Sequence, residues 1–274
     1  MLKLSIITVN YNNYNGLKRT IESISSQNVS DFEFIIIDGN STDESVALIK
    51  ESSMYISNWI SEPDNGIYQA MNKGVSMAKG EYLLFLNSGD HLFESNIIST
   101  SLDHLKGDDF ICFDIECVLS NDSCIKKHPD NLDFSYLFSD TFAHQSTFIK
   151  RNVFEKVGYY DESLKIVSDW KFFIQSIVFH GCSYKAIHKT LSTYYLDGIS
   201  ATAEGTFNRR EEREAILKNE FSIFYNDYRR LKLLDMNRFK MLNELEHSKL
   251  AKKMLSFFLR ILLRCFRNKS LKDL

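Results

Sequence analysis

The sequence predicts an α/β fold, Rossmann-like, with a mostly parallel central sheet and flanking helices. Three observations carry this reading. Apolar runs of strand length occur at Leu4-Ser-Ile-Ile-Thr-Val9, Phe32-Glu-Phe-Ile-Ile-Ile-Asp38 and Tyr82-Leu-Leu-Phe-Leu86. Stretches with apolar residues at helical spacing separate them, and each run empties into a polar turn rich in Asn, Gly, Ser or Asp. Nearly continuous apolar strands are covered on both faces, and strands alternating with helices imply a parallel sheet with right-handed crossovers.

Taken in order, Leu4 to Val9 is the first strand and Asn10-Tyr-Asn-Asn-Tyr-Asn-Gly16 the loop at its carboxyl end, followed by a helix with Leu17, Ile21 and Ile24 on one face. Phe32 to Asp38 is the second strand, and Gly39-Asn-Ser-Thr-Asp43 turns into the next helix. Ile56 to Ile60 is a candidate third strand. Ile67, Ala70, Met71 and Val75 then mark a helix leading to the stretch Lys79-Gly-Glu-Tyr-Leu-Leu-Phe-Leu-Asn-Ser-Gly-Asp90. That stretch delivers Asp90 to the end of a strand. In an open α/β sheet ligands bind beyond the carboxyl ends of the strands, where a carboxylate can hold a hard divalent cation against phosphate oxygens. The same residues also read as a glycine turn in which Asp90 caps the next element. His91 would point away from Asp90 in an extended segment and is assigned a structural role.

Beyond residue 100, Asp109 to Val118 reads as a strand with Ser123 to Lys127 as its hairpin partner. Ser168 is a candidate N-cap for a helix whose apolar face is Trp170, Phe173, Ile174 and Ile177. Tyr194-Tyr-Leu-Asp-Gly-Ile-Ser200 reads as a mobile loop over the site.

A chain of 274 residues that is 44% hydrophobic can bury one large core or two modest ones. A formal net charge of -3 argues against a nucleic-acid-coating surface. Five scattered cysteines without a C-x-x-C pair fit reduced thiols in a cytoplasmic protein better than a disulfide frame or a zinc site. The first apolar run is cut short by Asn10-Tyr-Asn-Asn13, so no signal peptide is expected, and no uncharged run approaches a membrane span.

Thr8-Val-Asn10, Ile37-Asp-Gly-Asn-Ser-Thr-Asp43, Glu62-Pro-Asp-Asn-Gly-Ile-Tyr68, Met71-Asn-Lys-Gly74 and Leu86-Asn-Ser-Gly-Asp90 form an ordered set that resembles the family 2 glycosyltransferases of the GT-A fold. The resemblance reaches to about residue 200 and implies an inverting glycosyltransferase using a nucleotide-diphospho-sugar donor in surface polysaccharide assembly. It implies that Thr8 and Asn10 line the nucleotide site and that Asp38 accepts a hydrogen bond from the base. Lys73 can place a positive charge near the diphosphate. Asp64 orients Lys73 or the base, or simply belongs to the turn Pro63-Asp-Asn-Gly66. Related enzymes carry an Asp-x-Asp-like cluster where this chain has Asn87, Ser88, Gly89 and a single Asp90. Asn87 is counted with the nucleotide-sugar-binding residues, and Asp90 is the residue left to hold Mn or Mg together with waters and the diphosphate.

Phe142-Ala-His-Gln-Ser-Thr-Phe-Ile-Lys-Arg151 and Val157-Gly-Tyr-Tyr-Asp161 also resemble family segments. His144, Gln145 and Trp170 are accordingly assigned to the acceptor side, although a lone histidine is more often structural. Asp169 matches the family's general base; a carboxylate favoured by the helix dipole explains its position equally. The implied reaction is a single in-line displacement. A sugar-phosphate nucleotidyltransferase and a non-catalytic nucleotide-sugar-binding scaffold are the alternatives. The first expects a glycine-rich loop after strand one, which Asn10 to Gly16 is not; donor turnover separates the second.

The expected organisation is a catalytic domain over 1–204, with a nucleotide-sugar half to residue 100 and an acceptor half from 101, and a helical extension over 205–274. Glu211-Glu-Arg-Glu-Ala-Ile-Leu-Lys218 opens the extension. In the final helix Lys253, Arg260, Arg264 and Arg267 fall near one face, and Met254, Leu255, Phe258, Ile261, Leu262 and Cys265 cover the other. That pattern suits an anionic membrane surface at the cytoplasmic face, near a lipid-linked or saccharide acceptor; its alternative is packing on the catalytic domain or in a homo-oligomer.

Overall fold

The structure is a computed structural model that describes residues 2–119, 122–195, 202–234 and 237–267. It divides into two compact units, Met1–Ile216 and Leu217–Leu274.

The first unit is built on one sheet. Strand β1 (Leu4–Asn10) and strand β2 (Glu33–Asp38) are buried along their whole length, as continuous apolar runs require, and lie parallel in register from Ser5 opposite Glu33 to Asn10 opposite Asp38. Between them α1 (Tyr14–Ser25) starts earlier than the apolar spacing suggests, because the Asn13 side chain accepts from the Gly16 N–H at 3.1 Å and caps it. Helix α2 (Ser45–Glu51) leads to the edge strand β3 (Asn58–Ser61), which begins two residues later than predicted. Helix α3 (Ile67–Met77) packs so closely on β1 that a side chain at Gly74 would run into the Ile7 methyl group. Strand β4 (Tyr82–Phe85) follows and pairs parallel with β1.

The second half of this unit departs from the parallel pattern. After β5 (His91–Leu92) and α4 (Ile97–Leu102), strand β6 (Phe110–Leu119) and β7 (Asp122–Lys126) form the expected hairpin; its tip, Ser120 and Asn121, lies outside the described residues. Helix α5 (Phe134–Ser139), a 3-10 turn at His144–Ser146, strand β8 (Thr147–Lys150), α6 (Asn152–Val157), α7 (Ser168–Val178) and β9 (Tyr184–Tyr195) complete it. The strand order is β3-β2-β1-β4-β8-β6-β9-β5, with β8 antiparallel between β4 and β6. The apolar core below β1, β2 and β4 includes Ile6, Phe34, Ile36, Leu84 and Phe113.

Helix α8 (Ala203–Glu220) carries the first unit past the composition change near residue 204 as far as Ile216, with Glu212 and Arg213 bonded to 165–167 and to the end of α5. The second unit contains α9 (Ser222–Leu234), α10 (Asn237–Glu246) and α11 (Lys249–Arg267). Among the described residues no helix is long and apolar enough to cross a membrane.

Candidate active site

The carboxyl ends of β1, β2 and β4 open onto one crevice, and the polar turns after them are tied together side chain by side chain. Asp38 is the hub. Its carboxylate, fully buried, accepts from Asn10 Nδ2 at 2.8 Å and Ser41 Oγ at 2.6 Å through one oxygen, and from the Ser41 N–H at 2.9 Å and Ser61 Oγ at 2.7 Å through the other. Four donors fill the four lone-pair positions of a carboxylate. A further donor can therefore reach Asp38 only by displacing one of these four.

The rest of Gly39-Asn-Ser-Thr-Asp43 has equally definite reasons. Asn40 takes φ +65° and Asn12 φ +46°, a region asparagine tolerates. Asn12 Oδ1 accepts from the Thr42 N–H at 2.8 Å, and Asp43 accepts from the Tyr14 N–H at 3.0 Å. At Gly39 a Cβ would meet Asp64 Oδ2 at 2.6 Å and the Tyr11 ring at 3.2 Å, so Asp64 and the exposed Tyr11 close over that glycine. Asp64 thus joins Asp38 at the crevice and also accepts from the Gly66 N–H at 3.0 Å as a turn aspartate does.

Two expectations on this side are corrected. The Thr8 side chain does not line the crevice: it is fully buried, and its hydroxyl donates to Leu86 O at 2.6 Å, joining β1 to β4. Lys73 is not oriented by Asp64; its ammonium pairs with Glu62 at 2.8 Å and donates to Pro63 O at 3.1 Å, clamping the 62–66 turn onto α3.

The turn after β4 is held by α1. The Thr20 hydroxyl donates to Asp90 O at 2.7 Å and accepts from the Gly89 N–H at 3.0 Å, while Asn13 Nδ2 donates to Ser88 O at 3.0 Å. Gly89 sits at φ +112°, where a side chain would be strained. Asp90 is nearly buried beneath it. Among the described residues no group of three or more His, Cys, Asp or Glu side chains is arranged to hold a metal ion.

Across the crevice Asp169 stands in the first turn of α7. Oδ1 accepts from the Trp170 N–H at 2.8 Å and lies 3.2 Å from the Tyr68 hydroxyl, which itself donates to Ile166 O at 2.6 Å. Oδ2 is 3.0 Å from His144 Nδ1, and His144 Nε2 is 3.1 Å from Asn87 Nδ2. A carboxylate only accepts, so Nδ1 carries the proton and Nε2 accepts from the Asn87 amide. His144 consequently joins the turn after β4 to Asp169. Burial first, and then the negative charge of Asp169, push the Tyr68 and Tyr160 phenols well above their ordinary range. Both remain neutral beside the carboxylate.

Three other assignments change. Ser168 is not the N-cap; Val167 holds that position and the buried Ser168 hydroxyl makes no bond among the described residues. Trp170 does not line an acceptor site, being 2% exposed with Nε1 donating to Leu137 O at 2.7 Å beneath the Arg213 guanidinium. Gln145 is buried as well, and its backbone carbonyl accepts from Ser192 Oγ at 2.7 Å. His91 is structural: its ring lies against Tyr195 at 5.7 Å, and burial lowers its basicity. The 194–200 loop lies outside the described residues from 196 onward.

Comparisons with known proteins bear on the family and the fold. Residues 5–164 match the family described as Glycosyl transferase family 2. An uncharacterized glycosyltransferase of Mycobacterium tuberculosis is 28% identical over 206 residues, covering 73% of this chain and 78% of its own length. A PGL/p-HBAD biosynthesis glycosyltransferase of Mycobacterium bovis is 27% identical over 205 residues, 72% and 79% of the two chains. Among solved structures, S. aureus TarS 1-349 in complex with UDP-GlcNAc superposes with a TM-score of 0.63 at 15% identity, over 79% of this chain and 67% of that one. The mannosyltransferase PcManGT from Pyrobaculum calidifontis, in complex with GDP-Man and Mn2+, gives 0.58 at 15% identity over 95% and 80%. With a family match over more than half its length and a GT-A-like mixed sheet, the chain belongs to glycosyl transferase family 2 and is a glycosyltransferase.

Proposed function

We propose that the protein transfers a sugar from a nucleotide-diphospho-sugar to an acceptor hydroxyl with inversion, Asp169 acting as the general base. The observation that carries this is the hydrogen-bonded chain Asn87–His144–Asp169, which runs from the donor-side turn to a carboxylate 14% exposed at the crevice. Asp169 Oδ2 has capacity for a second donor beside His144 Nδ1. Removal of the acceptor proton there raises the nucleophilicity of the attacking oxygen. His144, donating from Nδ1, orients the carboxylate without taking the proton. The UDP-GlcNAc and GDP-Man bound to the structural neighbours support a nucleotide-sugar donor.

On the donor side, Tyr11, Asp38 and Asp64 would face the base, with the Ser41 or Ser61 hydroxyl turning aside from Asp38. Asn10 Oδ1 and Asn87 Oδ1 are buried acceptors with no partner among the described residues, which suits them to ligand donors. A divalent cation fits the residues present. The Asp90 carboxylate and the unpartnered Asn87 oxygen belong to one turn, and Mn or Mg binds through one or two protein oxygens plus waters and phosphate. Such a cation would supply charge stabilisation to the leaving diphosphate.

The test is a mass-spectrometric screen of UDP- and GDP-sugars with lipid-linked and soluble acceptors, with and without manganese. Transfer is expected with at least one donor, and manganese stimulation is expected to disappear in Asp90→Ala but survive in His91→Ala. Donor binding without sugar release would point to a scaffold instead; equal manganese response in wild type and Asp90→Ala would remove Asp90 from the metal site.

The second unit supports attachment to anionic lipid at a cytoplasmic membrane face. On α11, Lys253, Arg260 and Arg264 are exposed, and so are Met254, Phe258, Ile261 and Leu262 on the other side. Such a helix lies in the headgroup region with its apolar face inward. Liposome co-sedimentation of the full chain and of a chain ending at residue 248 should show salt-sensitive binding to anionic vesicles that is lost with the tail. Tail-independent binding, or a concentration-dependent dimer with no lipid binding, would contradict it. A lipid-linked or saccharide acceptor accords with that location.

A further inference from the structure

We propose that Glu212 and Arg213, adjacent residues of α8, are positioning residues that hold Asp169 against His144. The inference rests on Asp169 being the general base only for its effect on turnover; the placement itself is geometric.

Glu212 reaches the turn that enters α7. Its Oε1 accepts from the Lys165 N–H at 2.8 Å, and its Oε2 accepts from the Ile166 N–H at 3.0 Å and the Val167 N–H at 3.2 Å. An N-cap side chain serves the first N–H groups of the helix itself, so these three N–H groups ahead of the helix need an acceptor from elsewhere. The N-cap, Val167, has no polar side chain, and the acceptors for its own N–H and for the two before it come from another helix.

Arg213 holds the other flank of Asp169. Its guanidinium lies 4.3 Å over the Trp170 ring and donates to the carbonyls of Asp140 at 2.6 Å and Leu137 at 3.4 Å. The Leu137 carbonyl also takes the Trp170 indole N–H, so indole and guanidinium are fixed to one point at the end of α5. Burial pushes Arg213 down to about 10, a sign that the guanidinium is largely out of water.

The two residues bracket Asp169 on both sides. The Ile166 carbonyl that accepts from Tyr68 belongs to the turn Glu212 holds, and the Trp170 N–H that donates to Asp169 belongs to the residue Arg213 covers. Anchoring α8 alone would not require this chemistry, because well-packed apolar residues hold a helix as well as buried charge does. Directional bonds on both sides of one carboxylate instead fix its position. A displacement of about 1 Å at a reacting group can cost on the order of a hundredfold in rate.

The experiment compares wild type with Glu212→Gln and Arg213→Lys, two variants of nearly native size, by 15N NMR of the His144 ring, assigned through His144→Gln. Wild type should hold the Nδ1–H tautomer imposed by Asp169. In both variants the Nε2–H form, preferred in solution, should gain population, and single-turnover release of UDP or GDP from the donor identified by the screen should fall about tenfold or more. The UDP dissociation constant should not change. In an Asp169→Asn background Glu212→Gln should add no further loss, because it acts through Asp169. An unchanged His144 tautomer in folded Glu212→Gln or Arg213→Lys, or multiplying losses in the double variant, overturns the proposal. If Asp169→Asn alone turns over like wild type, the base assignment fails, and the tautomer shift still decides the placement by itself.

Discussion

Asp169→Asn is expected to lower sugar transfer by at least about a hundredfold, the scale of a lost general base, while leaving nucleoside diphosphate binding unchanged. The side chain keeps its volume and one oxygen to accept the Trp170 N–H, which is 2.8 Å away in the native protein. What disappears is the basic lone pair on Oδ2 beside His144. Single-turnover transfer together with calorimetry of UDP or GDP separates the two effects. Transfer near the wild-type rate would remove Asp169 from the mechanism, and equal loss of binding and transfer would show damage to the donor side instead.

Asp38→Ala is expected to produce the largest loss of stability of any single change at the crevice. It strands the Asn10 amide, the Ser41 N–H and the Ser41 and Ser61 hydroxyls, all now bonded to one buried carboxylate. Hydrogen bonds to a buried charge are individually worth roughly 1.5–3 kcal/mol, so a net loss of about 3 kcal/mol is a modest expectation. For a unit of this size that corresponds to a fall in melting temperature of roughly 6–12 °C. Differential scanning calorimetry of the full chain checks it. A melting temperature equal to wild type would mean that the serines and Asn10 find other partners without penalty, and that Asp38 is not the organiser of these loops.

Asp38 and Glu212 differ in how far their roles can be read from a sequence. Asp38 stands at the end of a continuous apolar strand and before a glycine turn, so its place at the crevice was legible. Its saturation was not, because it depends on Ser61, contributed by a different strand. The apolar runs likewise gave β1, β2 and β4, whereas β9 mixes lysines with half-buried positions and lacks a clean alternation. In α7 the helical period marked Trp170 as apolar-face, and burial is what the structure has; an acceptor-side role required exposure that the same period argues against.

Distance in sequence obscured the remaining contacts. Glu211-Glu-Arg-Glu214 reads as a solvated charged turn of helix, the common meaning of such a run. Only the folded chain shows that Glu212 and Arg213 turn inward, to a segment more than forty residues earlier. His144 is similar: nothing in its local sequence reveals that its two ring nitrogens face Asn87 and Asp169. Thr20 carries no signal beyond an ordinary helix position, yet it fixes the Asp90 turn, and Tyr68, read only as the end of a motif segment, sits beside the proposed base.

The central claim is a single displacement assisted by Asp169, and the anomeric configuration of the product tests it most directly. With an α-linked nucleotide sugar as donor, proton NMR of the product at early times should show only the β-glycoside, since one in-line attack inverts the anomeric centre. An α-glycoside as the first product would contradict the account.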